Sequence, residues 1–152
     1  MFRLALVLVL TLVPTLSLSP AMARESLWTS STYAKSFLET YKDLGWVMLR
    51  KEDGHDWVYF STLLWMRCAL KEVRYSVNSE ALDQVFPPMA CDLKRPSNLP
   101  VTARLSDISI KTGGPVETIS VQATFADGSK SDMLTYGHCA GDDSKTCAVR
   151  LH

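Results

Sequence analysis

Net charge is the first thing this sequence lacks. Its 16 Lys and Arg balance 16 Asp and Glu, for a formal charge of zero. The two signs are mixed along the chain, so no basic stripe hides behind the total, and nucleic acid and anionic membranes drop out as leading partners. Catalytic signatures are missing as well. There is no G-x-S-x-G, no H-E-x-x-H and no Gly-rich phosphate loop, since Gly113-Gly114 runs into Pro115 and makes a turn. The close C-x-x-C spacing of redox pairs is absent. No internal repeat, low-complexity tract or linker divides the chain.

Long apolar runs are also scarce. The aliphatic stretch Leu4 to Val13 follows the lone Arg3 and is cut by Pro14, short of the roughly 20 residues that cross a bilayer. The small-residue pattern Ala21-Met22-Ala23 comes next, which completes the order of a secretory signal peptide. Cleavage after Ala23 is therefore expected. It removes 23 of the 152 residues and leaves 129, enough for one small domain with a core of its own, 24–152. No cysteine lies near the cut, so no lipid anchor is expected and the mature protein should be periplasmic or extracellular.

What is present fits that compartment. Cys68, Cys91, Cys139 and Cys147 are an even set, and an oxidising environment favours disulfides. Four cysteines allow three connectivities. The pairing of nearest neighbours, Cys68–Cys91 and Cys139–Cys147, is preferred because each closes a loop-rich segment. On the chain-entropy model the two loops contribute about 3.4 and about 2.6 kcal/mol. The stretch TYGHCAGDDSKTC then reads as a stapled tail whose Gly141-Asp142-Asp143-Ser144 supplies the turn. Zinc would need His138, both thiolates and a fourth ligand at a spacing structural zinc sites do not favour, and Asp142-Asp143 are too few for calcium. No metal and no cofactor are expected.

The spacing of Tyr33, Phe37, Tyr41 and Leu44, bounded by Ser and Thr before and Gly45 after, predicts an amphipathic helix over 31–44. Asp53-Gly54 between two apolar runs predicts a type I′ hairpin, its second strand continuing to about Met66, although 57–66 also fits a buried helix. Val73, Tyr75 and Val77 mark a third strand. SEALDQVFPP predicts a short helix, VTARLSDISIK a bulged strand, and Asp127-Gly128 the centre of a second hairpin. The sum is an α+β domain, an N-terminal helix packed on a mainly antiparallel sheet of about six strands, stapled by disulfides.

The second hairpin divides into a core face and a wet face, the latter carrying Ser120, Gln122, Thr124, Ser131, Met133 and Thr135. The first hairpin has apolar residues on both faces. Leu49 and Val58 share one; Trp46, Met48, Arg50, Trp57 and Tyr59 share the other. The ordinary fate of such a face is to be covered, here by the helix. If left open, Trp46, Arg50, Trp57 and Tyr59 form an aromatic platform for an envelope protein, peptide or glycan. The function expected is a small non-catalytic binding protein, inhibitor-like or an assembly partner. The alternative is a small secreted hydrolase with a dispersed site using His55 or His138.

Overall fold

Tight turns and two staples set the architecture. The computed structural model describes residues 26–87, 90–100, 102–141 and 146–152. The expected signal segment and all but Gly141 of the expected acidic turn lie outside the described residues. The chain is a mixed helix and sheet protein with two antiparallel sheets, of three and five strands, and the disulfides Cys68–Cys91 and Cys139–Cys147. Among the described residues no helix is long and apolar enough to cross a membrane.

Helix α1 (Ser31–Tyr41) begins where the Ser30 hydroxyl accepts the Tyr33 N–H. It ends short of the expected residue 44. The next turn carries Gly45 at φ +103°, where a Cβ would meet the Val47 carbonyl at 2.8 Å. Strands β1 (Met48–Glu52) and β2 (His55–Tyr59) follow around Asp53 and Gly54, both at positive φ as a type I′ turn requires. Their register is the one expected, with Arg50 opposite Trp57 and Leu49 opposite Val58.

Beyond Tyr59 the expected strand gives way to a short buried helix, α2 (Ser61–Trp65). Its residues Thr62, Leu63 and Leu64 are all buried in the core. Strand β3 (Leu70–Val77) comes next, then β4 (Gln84–Phe86) where a helix was expected. Phe86 is drawn into a 4.1 Å stack on Phe60, and that tertiary contact outweighs local helix preference. Of the strand expected from residue 101, the structure keeps only β5 (Ser109–Lys111), preceded by a 3-10 turn at Leu105–Asp107. The break in apolar alternation at Ser106-Asp107 is this turn, closed by the Asp107 carboxylate accepting the Arg104 N–H.

Strands β6 (Thr118–Phe125) and β7 (Leu134–Gly137) pair as expected from Ile119–Tyr136 to Val121–Leu134. Their turn is one residue longer than expected. Phe125 donates its N–H to the Ser129 carbonyl, so Ala126, Asp127 and Gly128 form a three-residue loop with Gly128 at φ +85°. The face expected to be wet is partly buried. Ser76, Ser120 and Thr135 form a row across three strands, each 2 % exposed or less, with the Ser120 and Thr135 hydroxyls 3.1 Å apart.

Strand β8 (Val149–Arg150), absent from the six expected, folds the tail back onto β7. Just before it, Cys147 exchanges two backbone hydrogen bonds with Leu49 of β1. The tail thus bridges the sheets, and the strands follow the order β4-β3-β6-β7-β8, then β1-β2-β5. The helix α1 lies over the end of β6 and β7. Lys35 pairs with Asp127, and the buried Tyr136 hydroxyl donates to the Lys42 carbonyl at 2.8 Å.

Candidate functional site

The two-residue turn at Asp53-Gly54 decides which hairpin side chains meet. Residues of even number in β1 and of odd number in β2 share a face, and β5 extends it by pairing Trp57 with Lys111 and Tyr59 with Ser109. Two rows result: Arg50, Trp57, Lys111 and, beside it, Met48, Tyr59, Ser109. The opposite face carries Leu49 and Val58, both fully buried. The sheet is anchored by that side; on the other, Met48, Arg50, Trp57 and Tyr59 are half-buried, Ser109 is buried and Lys111 is exposed.

Trp57 is half-buried at the centre of the presented face. The Lys111 ammonium lies 5.9 Å from its ring centroid, within cation–π range, and Arg50 stands across from it on β1. The Arg50 guanidinium reaches Glu52 at 3.6 Å, while its Nε is buried with no hydrogen-bond partner among the described residues. Tyr59 is half-buried too. Helix α1 is tied elsewhere: by Ser31 and Lys35 to Asp127 in the β6–β7 turn, by the Lys42 carbonyl to Tyr136, and by Phe37 and Tyr41 to Trp65 of α2. No ring or hydrogen-bond contact joins α1 to Trp57 or Tyr59 among the described residues.

Trp46 does not belong to this face. It precedes β1, is 3 % exposed, and donates its indole N–H to the Leu38 carbonyl at 2.7 Å. That carbonyl lies in the last turn of α1, where intrahelical partners run out, so the indole serves as a cap. The Gly45 turn aims Trp46 into the core, and the parity of the strand does not extend back to it.

Beside β5 the surface opens into two clefts that share the Thr112–Pro115 loop. The larger, about 610 Å³, separates β5 from Tyr75 and Val77 of β3 and Gln84 of β4. It falls in the range of ligand sites, roughly 300–1,000 Å³. Burial, with Asp83 nearby, pushes the Tyr75 phenol above its usual pKa, so its hydroxyl stays protonated. The smaller cleft, about 290 Å³, lies between this loop and the hairpin tip and includes His55.

The two histidines differ in setting. His55 is exposed beside the turn. The His138 Nε2 is buried without a hydrogen-bond partner and lies 3.9 Å from the buried Asp56 carboxylate. Asp56 is already engaged, accepting the Val116 N–H at 2.6 Å through Oδ2 while its carbonyl accepts from Thr112. These bonds tie the Thr112–Pro115 loop to β2. Among the described residues no hydroxyl or thiol is hydrogen-bonded to either histidine, and no group of three His, Cys, Asp or Glu is placed to hold a metal.

A second aromatic surface escaped the sequence. Phe37 stacks on Tyr41 at 4.4 Å, Trp65 meets both edge-on, and Trp28 meets Tyr33. Trp65 remains 43 % exposed and Leu44 64 %. The stripe Tyr33, Phe37 and Tyr41 is half-buried, with Tyr33 and Phe37 packed on the margin of the core, while Ala34 and Leu38, one position further round, are fully buried. Trp65 arrives from α2, where a strand was the first expectation. Compared with protein-family models, curated proteins and solved structures, the chain matches none.

Proposed function

We propose that this chain is a small exported binding protein of the cell envelope, inhibitor-like or an assembly partner, and that its ligand docks on Arg50, Trp57, Tyr59 and Lys111. The observation that carries this reading is the row Arg50, Trp57, Lys111: an indole flanked by two cations on a sheet face that the helix leaves uncovered. Tryptophan, tyrosine and arginine dominate the energetics of protein interfaces. Two disulfides suit an oxidising compartment, and the signal-like start of the sequence supports export.

The test is a selection of random displayed peptides and an array of glycans against the immobilised mature protein. Binders from either source should lose about 30-fold in affinity to Trp57→Ala while that variant still melts within a few degrees of the parent. Binders indifferent to Trp57 and Arg50 would refute the assignment. The hydrolase reading is favoured by one observation, the unpaired His138 Nε2 beside Asp56. Turnover of ester or peptide substrates by the mature protein, abolished in His138→Ala with the melting temperature retained, would establish it in place of the binder.

A further inference from the structure

We propose that the ligand is an extended polypeptide segment with an acidic residue, and that it adds as a strand to the open edge of β5; this rests on the binding face assigned above. The edge follows from hydrogen-bond parity. Phe60 donates to the Ile108 carbonyl and Thr112 to the Asp56 carbonyl, with Val58 opposite Ile110 between them. Alternate residues of an antiparallel strand point their backbone the same way, so Ile108, Ile110 and Thr112 face β2. Ser109 and Lys111 therefore aim their N–H and C=O groups the other way, into the 610 Å³ cleft. None of these four groups has a partner among the described residues.

The far wall of the cleft is also a strand edge. Asn78 donates to the Thr118 carbonyl, which turns the even residues of β3 toward β6 and leaves Tyr75 bonded to Gln84 of β4. Val85 of β4 then points its own N–H and C=O outward. β4 is an edge of the five-stranded sheet and β5 an edge of the three-stranded one, and the cleft lies between them, lined by Gln84 on one side and Ser109 to Lys111 on the other. An added strand would satisfy edge groups that buried or half-buried backbone seldom leaves idle.

The chemistry of the partner follows from the row that ends at this edge. A residue of the added strand placed opposite Lys111 becomes the next member after Arg50, Trp57 and Lys111. Among the described residues no carboxylate lies within salt-bridge distance of Lys111, and opposite charges across a strand pair attract. A second copy of the chain would instead bring the same cations alongside themselves. Both edges are only three residues long, which also disfavours self-pairing.

The probe is a heptapeptide alternating Glu with Val, compared with its Lys-for-Glu version and with two versions N-methylated on alternate backbone nitrogens. The Glu peptide should bind at least about tenfold tighter than the Lys peptide, and one methylated register should abolish binding while the other is tolerated. In the unmodified protein, hydrogen exchange should slow on binding at the Ser109 and Lys111 amides, with Ile110 and Thr112 nearly unchanged. Lys111→Pro, which keeps the β2 pairing but deletes an outward N–H, should weaken binding about tenfold beyond Lys111→Gln. Binding that perturbs the Trp57 indole without touching the two amides would overturn strand addition while leaving the face in place. Failure of every peptide, or amide protection that grows with protein concentration alone, would overturn it as well.

Discussion

Trp46→Ala should be the most damaging single change among the aromatic residues of the first hairpin region, and Trp57→Ala among the mildest. Trp46 is 3 % exposed, packs with the core and caps the Leu38 carbonyl. Deleting a buried Trp side chain costs about 3–5 kcal/mol. The orphaned carbonyl adds to this, so the upper end is expected, about 5 kcal/mol. At about 3 °C per kcal/mol for a chain of this size, the melting temperature should fall by at least about 10 °C. Trp46→Phe keeps most of the ring and loses the donor, and should cost about 1–2 kcal/mol. Trp57 is half-buried on a sheet face, and its truncation should cost about 1 kcal/mol. Urea unfolding followed by far-UV circular dichroism reads all three without depending on the deleted fluorophore. Equal loss of stability in Trp46→Ala and Trp57→Ala would refute the division into a core indole and a surface indole.

Burial pushes the Tyr136 phenol up to about 12. A raised pKa contributes stability that is complete below the unfolded value of about 10 and is lost as pH climbs through 12, so alkaline unfolding should begin in that window and Tyr136→Phe should flatten it. The Lys35 ammonium, then the Ser129 hydroxyl and N–H, hold the Asp127 carboxyl down at about 2. Its NMR titration midpoint should lie there and rise toward 3.8 in Lys35→Ala, and the link from α1 to the β6–β7 turn should weaken only as pH falls from 4 to 2. Removing Cys139 and Cys147 together, both to Ser, should cost about 2.6 kcal/mol and fray the tail first, seen as faster amide exchange at Val149 and Leu151.

The first hairpin was legible in the sequence down to its register because a two-residue Asp-Gly turn admits one pairing, and any slip would expose Leu49 and Val58. The disulfides were legible because each cysteine's nearest partner lies across a loop. Residues 60–66 were not, since a run apolar on both parities carries no period, and only the core decides between strand and helix. Gln84–Phe86 defied local preference for the stack of Phe86 on Phe60, a contact spanning 26 residues. For the site, Arg50, Trp57 and Tyr59 were readable by parity, whereas Trp46 was misplaced because the Gly45 turn breaks that parity. Lys111 could not be found at all without knowing that β5 joins β2. The same gap hid the cleft, one wall of which is β5.

The affinity of Trp57→Ala for a ligand selected on the parent protein, measured beside its melting temperature, tests the binding face most directly. An affinity lower by about 30-fold, with melting within about 3 °C of the parent, is the result expected of a surface anchor. Unchanged affinity, or a loss of stability matching that of Trp46→Ala, would contradict it.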